Sequence, residues 1–486
     1  MITTDKLKPW QLQPANRLYE ILQQNISAID GSDTGTGKTF VAVAIAQAIN
    51  LPTLAVVPKI AVSGWQRVCE HFNEKLSIVN YEKLRLGHTL YGSWANQVAL
   101  DAGRPVIFVC ECCQRKYSSV EDLSSPCVAN AEGIHCVDLR TKRINPGDFR
   151  FNAAVKFIIF DECHKCGGLD SLNSELLIAA KRQRIRHLML SATPAQTILQ
   201  LKAIGFSLDL HALDMRGLLE SKGHVKKVFS GWLASHGAKF DRQFSSWKWW
   251  VSAEKQRQTM DTIRQQIFPS RGIRITTDEV PNFPEVDIQA ELLNTDYEKE
   301  IEELYKEIEG EHELTKILRA RQAIELLKVP LFVERARDRM EQGFSVGIFC
   351  NFRDSLERIS ALLHCPFIDG TVTGKKRDEI IAEYQNNDLK CLVLNSEVGS
   401  VNIGLQDLDG NFPRFGLVSP PWSATTFKQL VGRFPRDGGK SKSHYRVLFA
   451  AGTVEMKMYS ALRSKLDNLS ALNDGDLQPE NLKLKK

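Results

Sequence analysis

The chain lacks the features that would tie it to a membrane or to secretion. Its 486 residues contain no apolar run long enough to span a bilayer. The first residues, MITTDKLKPWQ, have no apolar signal-peptide core. Internal repeats of solenoid period and long low-complexity tracts are also absent from the sequence. The length allows two or three domains, and we therefore expect an intracellular, cytoplasmic globular protein.

The chain also lacks the even set of cysteines that a disulfide framework would use. It has eleven cysteines, of which five fall within 110–136, CECCQRKYSSVEDLSSPCVANAEGIHC. In a reducing compartment such a cluster favours a metal site, with buried free thiols as the alternative. Cys112 and His135 compete for the same ligand positions. The candidate ligands of a structural zinc ion are Cys110, Cys113, Cys127 and Cys136.

The chain has little net charge, but its positive charge is concentrated in one segment. The formal net charge is +5, whereas 215–275 carries twelve Lys and Arg against four acids. Four of the eight tryptophans lie in the same segment. Basic side chains bind phosphates and exposed rings stack on unpaired bases, which predicts nucleic-acid contacts at Trp247, Lys248 and Trp249. The alternative is a small helical subdomain that uses its tryptophans as core.

A phosphate-binding loop follows the first apolar strand. The stretch SDTGTGKT, 32–39, fits the pattern G-x-x-x-x-G-K-[ST] except that Ser32 replaces the leading glycine. An apolar helix follows, and its N-terminus favours a bound anion. Lys38 is expected to reach the β- and γ-phosphates, and Thr39 to bind Mg²⁺. The predicted nucleotide-binding residues of this loop are Gly35, Thr36, Gly37, Lys38 and Thr39.

A pair of acids ends a second apolar strand, VKFIIFDECHKC. Parallel strands deliver functional groups at their carboxyl ends, so Asp161 is expected to hold Mg²⁺ and Glu162 to activate the attacking water. A third strand, HLMLSATPA, ends in Ser191 and Thr193. These hydroxyls, together with His164, are expected to couple the acids to a second ligand site.

The second half of the chain carries a basic helix end, QLVGRFPR. Gln429, Arg433 and Arg436 are predicted catalytic residues there. Arginines three residues apart share one helix face and can stabilise the charge that develops during γ-phosphoryl transfer. A solvated basic helix end is the alternative. Upstream, the glycine-rich exit of another strand, NSEVGSVNIGLQ, places Ser396, Gly399 and Gly404 as candidate nucleic-acid contacts.

The order of these motifs resembles that of superfamily 2 helicases and translocases over nearly the whole chain. SDTGTGKT is similar to motif I, LAVVPK to Ia, IVNYEKLR to Ib, DECH to II, SATP to III, NSEVGSVNIGLQ to V and QLVGRFPR to VI. The resemblance implies two RecA-like domains with ATP in their cleft and nucleic acid across both. It also implies that Gln11, in KPWQ, recognises adenine.

Within that superfamily the chain most resembles Swi/Snf-type translocases, in particular the compact helicases of large bacterial viruses. The segments NYEKLR, GFSVGIFCNFRDSLERI and FIDGTVTGKKRDEIIAEYQ carry this likeness. The chain departs from eukaryotic remodellers in DECH, in GRFPRDGG and in its length, which leaves no room for histone-reading appendages. The resemblance thus implies DNA recombination or repair, in the host cytoplasm if the protein is viral.

The sequence therefore predicts an α/β protein with two RecA-like parallel-sheet domains. We expect domain 1 over 1–205 with a zinc-finger-like insert at 88–150, a basic, tryptophan-rich accessory segment over 206–285, and domain 2 over 286–486. The expected cofactors are ATP, Mg²⁺ and a structural Zn²⁺. The expected activity is that of an ATP-dependent DNA helicase or translocase on duplex, forked or branched DNA. An RNA helicase, or a motor that displaces proteins from DNA, is the alternative. The insert is expected to contact DNA or other replication or recombination proteins.

Overall fold

The chain forms two compact units, one of 1–81 with 156–486 and one of 82–155. The computed structural model describes residues 2, 5–97, 106–110, 116–117, 137–141, 148–213, 227–293, 303, 313–372, 374–399, 404–472 and 484–485. The larger unit contains two separate parallel sheets. We call each sheet with its helices a lobe, the first lobe being N-terminal.

The first lobe is built on a six-stranded parallel sheet. Its strand order is β6-β1-β5-β4-β2-β3, and every pairing is parallel. The central strands are apolar and buried along nearly their whole length, as a sheet covered on both faces requires. The strands are β1 (Ser27–Asp30), β2 (Thr53–Val57), β3 (Ser77–Asn80), β4 (Phe157–Asp161), β5 (Arg186–Leu190) and β6 (Gly272–Ile273).

Five helices belong to the described part of the first lobe, besides a short helical turn at Tyr81–Leu84. They are α1 (Pro9–Gln24), α2 (Lys38–Ile49), α3 (Val62–Phe72), α4 (Leu172–Arg182) and α5 (Lys202–Ser207). The α2 helix is almost wholly apolar because it is buried in the core of the lobe, packed against α1 and α3. Short 3₁₀ turns occur at Lys59–Ala61, Cys163–Cys166 and Ile198–Leu201.

The described part of the segment between the lobes, which omits 214–226, contains two helices and a hairpin. The elements are α6 (Phe229–Ser235), an antiparallel hairpin of Lys239–Asp241 with Ser246–Lys248, and α7 (Ala253–Ile267). A 3₁₀ turn follows at Thr277–Glu279. The end of the predicted accessory segment, 206–285, supplies β6, the edge strand of the first sheet. The predicted domain boundaries stay predictions. The strand β6 lies within the predicted accessory segment in sequence but belongs to the sheet of the first lobe.

The tryptophans of this segment divide between core and surface. Trp232 and Trp249 are buried, and Trp249 is only 7% exposed because its indole N–H donates to the His236 carbonyl at 3.0 Å. The Trp249 ring therefore has little free surface in this conformation, and its contact with nucleic acid stays a prediction. Trp247 is half-buried, whereas Trp250, which the prediction omitted, is exposed.

The second lobe is built on a seven-stranded parallel sheet in the order β9-β10-β8-β11-β12-β7-β13. The inner strand β8 is buried along all six residues. The two sheets confirm the predicted two-lobed parallel α/β architecture. The strands are β7 (Val286–Leu293), β8 (Ser345–Cys350), β9 (Phe367–Ile368), β10 (Cys391–Asn395), β11 (Arg414–Val418), β12 (Ser443–Ala450) and β13 (Leu484–Lys485).

The helices of the second lobe cover both faces of its sheet, where they close two apolar clusters. They are α8 (Glu313–Leu327), α9 (Val329–Glu341), α10 (Arg353–Leu363), α11 (Gly374–Gln385), α12 (Ala424–Val431) and α13 (Val454–Leu472), besides a helical turn at Ser396–Gly399. Among the described residues, no helix is both long and apolar enough to cross a membrane.

The smaller unit is formed by short antiparallel strands. Gly92–Trp94 pairs with Phe149–Phe151, where Trp94 and Phe149 make an edge-to-face contact. A three-stranded sheet has Val106–Cys110 at its centre, flanked by Lys116–Tyr117 and Val137–Thr141. Cys110 ends its central strand. The other predicted zinc ligands, Cys113, Cys127 and Cys136, lie outside the described residues.

Candidate functional site

The phosphate loop joins β1 to α2, at the carboxyl edge of the first sheet. Gly35 and Gly37 have φ values of 84° and 88°, which side chains with a Cβ rarely adopt. The Lys38 ammonium donates to the carbonyls of Ser32 and Asp33, each at 2.8 Å, and so lies within the loop. The Thr36 hydroxyl donates to the Asp33 carbonyl at 2.9 Å. The loop therefore forms a compact cradle around one ammonium group.

The strand β4 delivers Asp161 two strands away from β1 in the same sheet. Both of its carboxylate oxygens accept hydrogen bonds, one from the Glu162 N–H at 3.0 Å and one from the Trp65 indole N–H at 2.8 Å. The Tyr81 hydroxyl donates to the Asp161 carbonyl at 2.8 Å. Burial, together with the charge of Glu162, raises the pKa of Asp161 to about 7. Trp65 and Tyr81 thus fix the acid at the strand end.

Glu162 is the centre of a polar chain that crosses between the lobes. Its carboxylate accepts from Gln429 at 3.2 Å and lies 3.2 Å from His164 Nδ1. That ring nitrogen is also 3.2 Å from the Ser191 hydroxyl, which accepts from the Thr193 N–H at 3.1 Å. The structure therefore brings together the three predicted coupling residues, one predicted catalytic acid and one predicted catalytic amide.

The ionisation of Glu162 differs from that of its neighbour Asp161. Burial is the largest single influence and opposes the charge of Glu162. The hydrogen bond and charge of His164, together with the charges of Lys38 and Arg433, outweigh burial and lower the pKa of Glu162 to about 2. Adjacent carboxyl groups whose environments separate their pKa values are typical of acid–base sites. At neutral pH Glu162 is charged and can accept a proton.

Arg433 and Arg436 reach the cleft from the turn after α12. Arg433 is buried beside Glu162, and Arg436 Nε donates to the Gly432 carbonyl at 3.3 Å. Burial lowers the pKa of Arg436 to about 10, so it stays charged at neutral pH. A Cβ added to Gly35 would lie 3.1 Å from Arg436 Cγ, which shows how closely the arginines approach the phosphate loop.

A buried ion-pair cluster, which the sequence analysis missed, lies behind the loop. Asp33 is paired with Arg274 at 3.2 Å and with Lys428 of α12 at 3.3 Å, and all three side chains are buried. The Asp33 carboxylate also accepts from the Thr277 N–H at 3.3 Å. Burial lowers the pKa of Lys428 to about 8 despite the charge of Asp33. Asp33 thereby connects the phosphate loop to the segment between the lobes, through Arg274 and Thr277, and to the second lobe, through Lys428.

A cavity of about 560 Å³ contains most of these groups, a volume within the usual range for ligand sites. Gln11 lies at its wall, where its amide donates to the Thr36 carbonyl at 2.9 Å and accepts from the Lys8 N–H at 3.0 Å. The predicted site residues that line the cavity are Gln11, Gly35, Gly37, Lys38, Thr39, Asp161, Glu162, Gly404, Arg433 and Arg436. Residues from both lobes therefore share one nucleotide-sized space.

The donor set at this cavity fits a nucleotide with Mg²⁺. The glycine cradle at Gly35 and Gly37 exposes backbone N–H groups, and Lys38 adds a cation. Thr39 and Asp161 line the same cavity and offer the hydroxyl and carboxylate oxygens that Mg²⁺ prefers. These two residues would hold the ion.

The residues predicted from the glycine-rich exit of β10 take different positions. Ser396 is fully buried and its hydroxyl donates to the Cys350 carbonyl at 3.1 Å. Its side chain is not exposed in this conformation, and its contact with nucleic acid stays a prediction. Gly404 lines the nucleotide cavity, and its carbonyl accepts from Gln385 at 3.0 Å. Gly399 ends the helical turn before 400–403, which lies outside the described residues.

A zinc site is likewise not observed within the described part of the chain. No group of three or more His, Cys, Asp or Glu side chains there is arranged to hold a metal ion. The six cysteines whose side chains are described are free thiols, and all are buried. Cys163 and Cys166 belong to this set and lie beside Asp161 and Glu162, the predicted magnesium ligand and catalytic acid.

Two family models match the chain in the order of its lobes. The model described as type III restriction enzyme, res subunit, matches residues 4–196, and the helicase conserved C-terminal domain matches residues 324–438. These segments contain the phosphate loop with the acid pair, and the arginines of the second lobe. The relatives of known name agree with both assignments.

Among the relatives, a candidate ATP-dependent RNA helicase, L364, of Acanthamoeba polyphaga mimivirus is 30% identical over 494 residues. The match covers 98% of this chain and 85% of that protein. The RAD54-like DNA repair and recombination protein of Drosophila ananassae is 28% identical over 115 residues, which are 23% of this chain and 14% of that protein.

Among solved structures, yeast Dbp5 with RNA and ADP BeF3 aligns at 10% identity over 97% of this chain and 93% of that one, with a TM-score of 0.45. The Sulfolobus solfataricus SWI2/SNF2 ATPase core with dsDNA aligns at 17% identity over 100% and 98% of the two chains, with a TM-score of 0.34. Neither likeness adds to the argument at these scores. The two family models and the near-complete viral match establish that the chain belongs to the superfamily 2 helicases and is an ATP-dependent, nucleic-acid-dependent helicase or translocase.

Proposed function

We propose that this protein is a Swi/Snf-like DNA helicase or translocase that acts on duplex, forked or branched DNA during replication, recombination or repair. The names of the RAD54-like relatives, which are DNA repair and recombination proteins, support DNA as the substrate. The motif segments that resemble Swi/Snf-type translocases support the same assignment. A bacterial-virus origin stays a proposal from the resemblance.

The observation that carries the proposal is the hydrogen bond between Gln429 and Glu162. It links the second lobe directly to the acid that faces the nucleotide cavity. A motor must change the geometry of its catalytic site when its lobes move relative to each other, and this contact has that property. Separation of the lobes would withdraw the amide from the carboxylate and thereby slow hydrolysis.

The residues around the cavity have the positions that ATP hydrolysis requires. Lys38 and the loop N–H groups would bind the β- and γ-phosphates, while Thr39 and Asp161 would hold Mg²⁺. The ion, when bound, neutralises charge on the phosphate oxygens. Glu162 would orient the attacking water and take its proton as the water oxygen bonds to the γ-phosphorus and the bond to the β-phosphate oxygen breaks.

The second lobe would supply the positive charge for this step. Arg433 is buried beside Glu162, and Arg436 lies against Gly35 of the phosphate loop. Guanidinium groups that arrive with lobe closure would stabilise the charge on the transferring phosphoryl group. After hydrolysis, the contact of these arginines with the first lobe would weaken. His164 and Ser191 would transmit this change to the nucleic-acid-binding surface.

An RNA helicase is the second candidate function. The viral relative that matches 98% of this chain is named as an RNA helicase, and this name favours RNA. Both candidates share the same ATP site, so the cavity does not separate them. A matched panel of DNA and RNA substrates distinguishes the two candidate functions.

A structural zinc in the insert also remains a proposal. It rests on the spacing of Cys110, Cys113, Cys127 and Cys136, because thiolates in such number stabilise small units that have little apolar core. The insert would contact a DNA arm or a partner protein.

The test compares two hydrogen bonds that cross between the lobes. Gln429 contacts the catalytic acid, whereas Gln196 contacts the Thr425 hydroxyl and no catalytic group named above. ATP hydrolysis is measured for the unaltered chain, Gln429→Met and Gln196→Met on single-stranded, duplex, forked and four-way DNA and on matched RNA. We expect stimulation by duplex or forked DNA, and a loss of at least tenfold for Gln429→Met only. Preferential stimulation by RNA would replace the first candidate with the second.

A further inference from the structure

The hairpin between the lobes carries an unusual concentration of exposed aromatic side chains. Among the described residues, the exposed Phe and Trp side chains are Phe240 at 49%, Phe244 at 66%, Trp250 at 73% and Trp422 at 46%. Three of these four lie within eleven residues of sequence. Exposed aromatic clusters of this kind are costly in water and mark binding surfaces. We call 239–250 the hairpin platform.

The strand register gives the hairpin platform one aromatic and one basic face. Phe240 lies opposite Trp247, and their rings make an edge-to-face contact with centroids 5.6 Å apart. Lys239 lies opposite Lys248 on the other face. Like charges that face each other across a strand pair are destabilising, so this pair favours an anionic ligand that would offset the repulsion. The Lys248 ammonium also lies 5.4 Å from the Phe244 ring centroid.

Asp241 is the one acid of the hairpin platform, and its carboxylate is hydrogen-bonded within the hairpin turn. The Asp241 carboxylate accepts from the N–H groups of Gln243 and Phe244, at 3.0 Å and 3.3 Å. These bonds order the turn and hold Phe244 at its tip. Lys239, Arg242 and Lys248 then leave the platform with an excess of positive charge beside exposed rings. That combination matches the phosphates and base faces of a single strand better than an apolar protein surface.

The hairpin platform is anchored at its base. Trp249 is buried, and its carbonyl accepts from Gln256 of α7 at 3.4 Å. Gln256 in turn accepts from Asn468 of α13 at 2.8 Å. A two-stranded hairpin alone is marginally stable in water, and these contacts hold it against the second lobe. A ring stacked on this platform would therefore move with that lobe.

We infer that the hairpin platform binds unpaired bases of single-stranded nucleic acid, with Phe244 and Trp250 as stacking surfaces and the lysine pair against the backbone phosphates. The inference rests on the proposed function, because it assumes that the chain acts on nucleic acid. It adds the element that contacts the unpaired strand. The sequence pattern predicted Trp249 for this role, whereas the exposed rings are its neighbours.

The test measures equilibrium binding to oligo(dT), to an abasic strand of the same length, to oligo(U) and to a duplex. Phe244→Ala and Trp250→Ala are compared with Leu362→Ala, an exposed apolar residue on α10 of the second lobe. Each aromatic variant should bind oligo(dT) about tenfold more weakly than the unaltered chain, because stacking is lost. On the abasic strand the variants and the unaltered chain should bind equally. Oligo(U) shows whether the platform distinguishes RNA from DNA.

The basic face has a separate readout. Lys239→Gln with Lys248→Gln should lower the slope of log affinity against log salt on oligo(dT) by about 0.7 for each phosphate that is no longer neutralised. Quenching of Trp fluorescence by oligo(dT) should disappear in Trp250→Ala and persist in Phe244→Ala. This signal reports stacking directly and does not depend on the affinity change.

The outcomes separate the inference from the proposed function. If the unaltered chain binds none of the nucleic acids, the proposed function fails. If it binds oligo(dT) and the aromatic variants bind it equally well, the hairpin platform is not a stacking surface. Equal losses on oligo(dT) and on the abasic strand or duplex would also overturn the inference, because no base is then involved. If the hairpin platform binds a protein partner instead, the aromatic variants should bind oligo(dT) as well as the unaltered chain does.

Discussion

Replacement of Trp65 by phenylalanine tests how Asp161, the proposed Mg²⁺-binding acid, is held. Trp65 is fully buried in α3, and its indole N–H donates to Asp161 at 2.8 Å. Phenylalanine keeps an aromatic ring at the position but removes the donor. Asp161 then loses the partner of one carboxylate oxygen and keeps the Glu162 N–H on the other.

The size of the effect follows from two terms. Above pH 7, where Asp161 with its pKa of about 7 is mostly ionised, a buried hydrogen bond to this charged group contributes about 1.5–3 kcal/mol, and its loss leaves the Asp161 oxygen without that donor. The smaller ring adds about 1 kcal/mol for the space that it leaves in a packed core. We therefore expect the unfolding free energy to fall by about 2.5–4 kcal/mol. Loss of a partner that orients a metal ligand usually weakens metal affinity by about 10- to 100-fold.

The assay combines urea unfolding with a magnesium titration of ATP hydrolysis. Trp232→Phe is the matched control, because Trp232 is also buried but lies in α6, outside the nucleotide cavity. We expect the control to lose only the packing contribution and to keep its magnesium requirement. Equal losses of stability in the two variants, with unchanged magnesium requirements, would refute the claim that Trp65 holds Asp161.

Three further predictions concern a buried histidine, a buried lysine and the cysteines of the insert. Burial lowers the pKa of His187 to about 4 from 6.5, so the unfolded chain binds more protons between these values. The unfolding free energy should therefore fall by about 3 kcal/mol as pH is lowered from 6.5 to 4, and His187→Gln should remove this dependence in urea titrations. Lys428→Met should lower the unfolding free energy by about 3 kcal/mol, because Asp33 keeps only part of its compensation, whereas Lys428→Arg should retain most of it. Elemental analysis should find about one zinc per chain, and Cys110→Ser should remove it and damage the insert more than basal ATP hydrolysis.

The parts of the site that are local in sequence were predictable. Lys38 and the glycines of its loop are close together along the chain, and the loop conformation requires those residue types. Asp161, Glu162 and Ser191 each follow an apolar run, and parallel strands bring such ends to one sheet edge. The two-lobed parallel architecture followed from the same pattern repeated in the second half.

The residues that were missed interact over long sequence separations. Trp65 precedes Asp161 by 96 residues, and Lys428 follows Asp33 by 395. In the sequence, Trp65 is one more apolar residue on a helix, and Lys428 is one more cation beside a recognised motif. A signal existed only for Asp33, a carboxylate inside a phosphate loop, which must have cationic partners when buried.

The tryptophan-rich segment shows why burial cannot be read from alternation alone. Trp247 and Trp249 have the spacing of one strand face, but the strand ends at Lys248. Trp249 then turns towards His236 and donates to its carbonyl, and Trp250 is left on the surface. The burial of Ser396 also could not be read from the sequence, because its hydroxyl donates to the Cys350 carbonyl within the second lobe.

ATP hydrolysis by Lys38→Ala and Arg433→Ala, with and without DNA, tests the central claim most directly. The proposed site needs a cation from each lobe at one nucleotide, and its activity depends on nucleic acid. Steady-state hydrolysis should rise in the unaltered chain when duplex or forked DNA is added. Each variant should lose that hydrolysis by at least a hundredfold, while fold stability is checked by thermal unfolding. Hydrolysis that survives Lys38→Ala, or that is indifferent to every nucleic acid, would contradict the account.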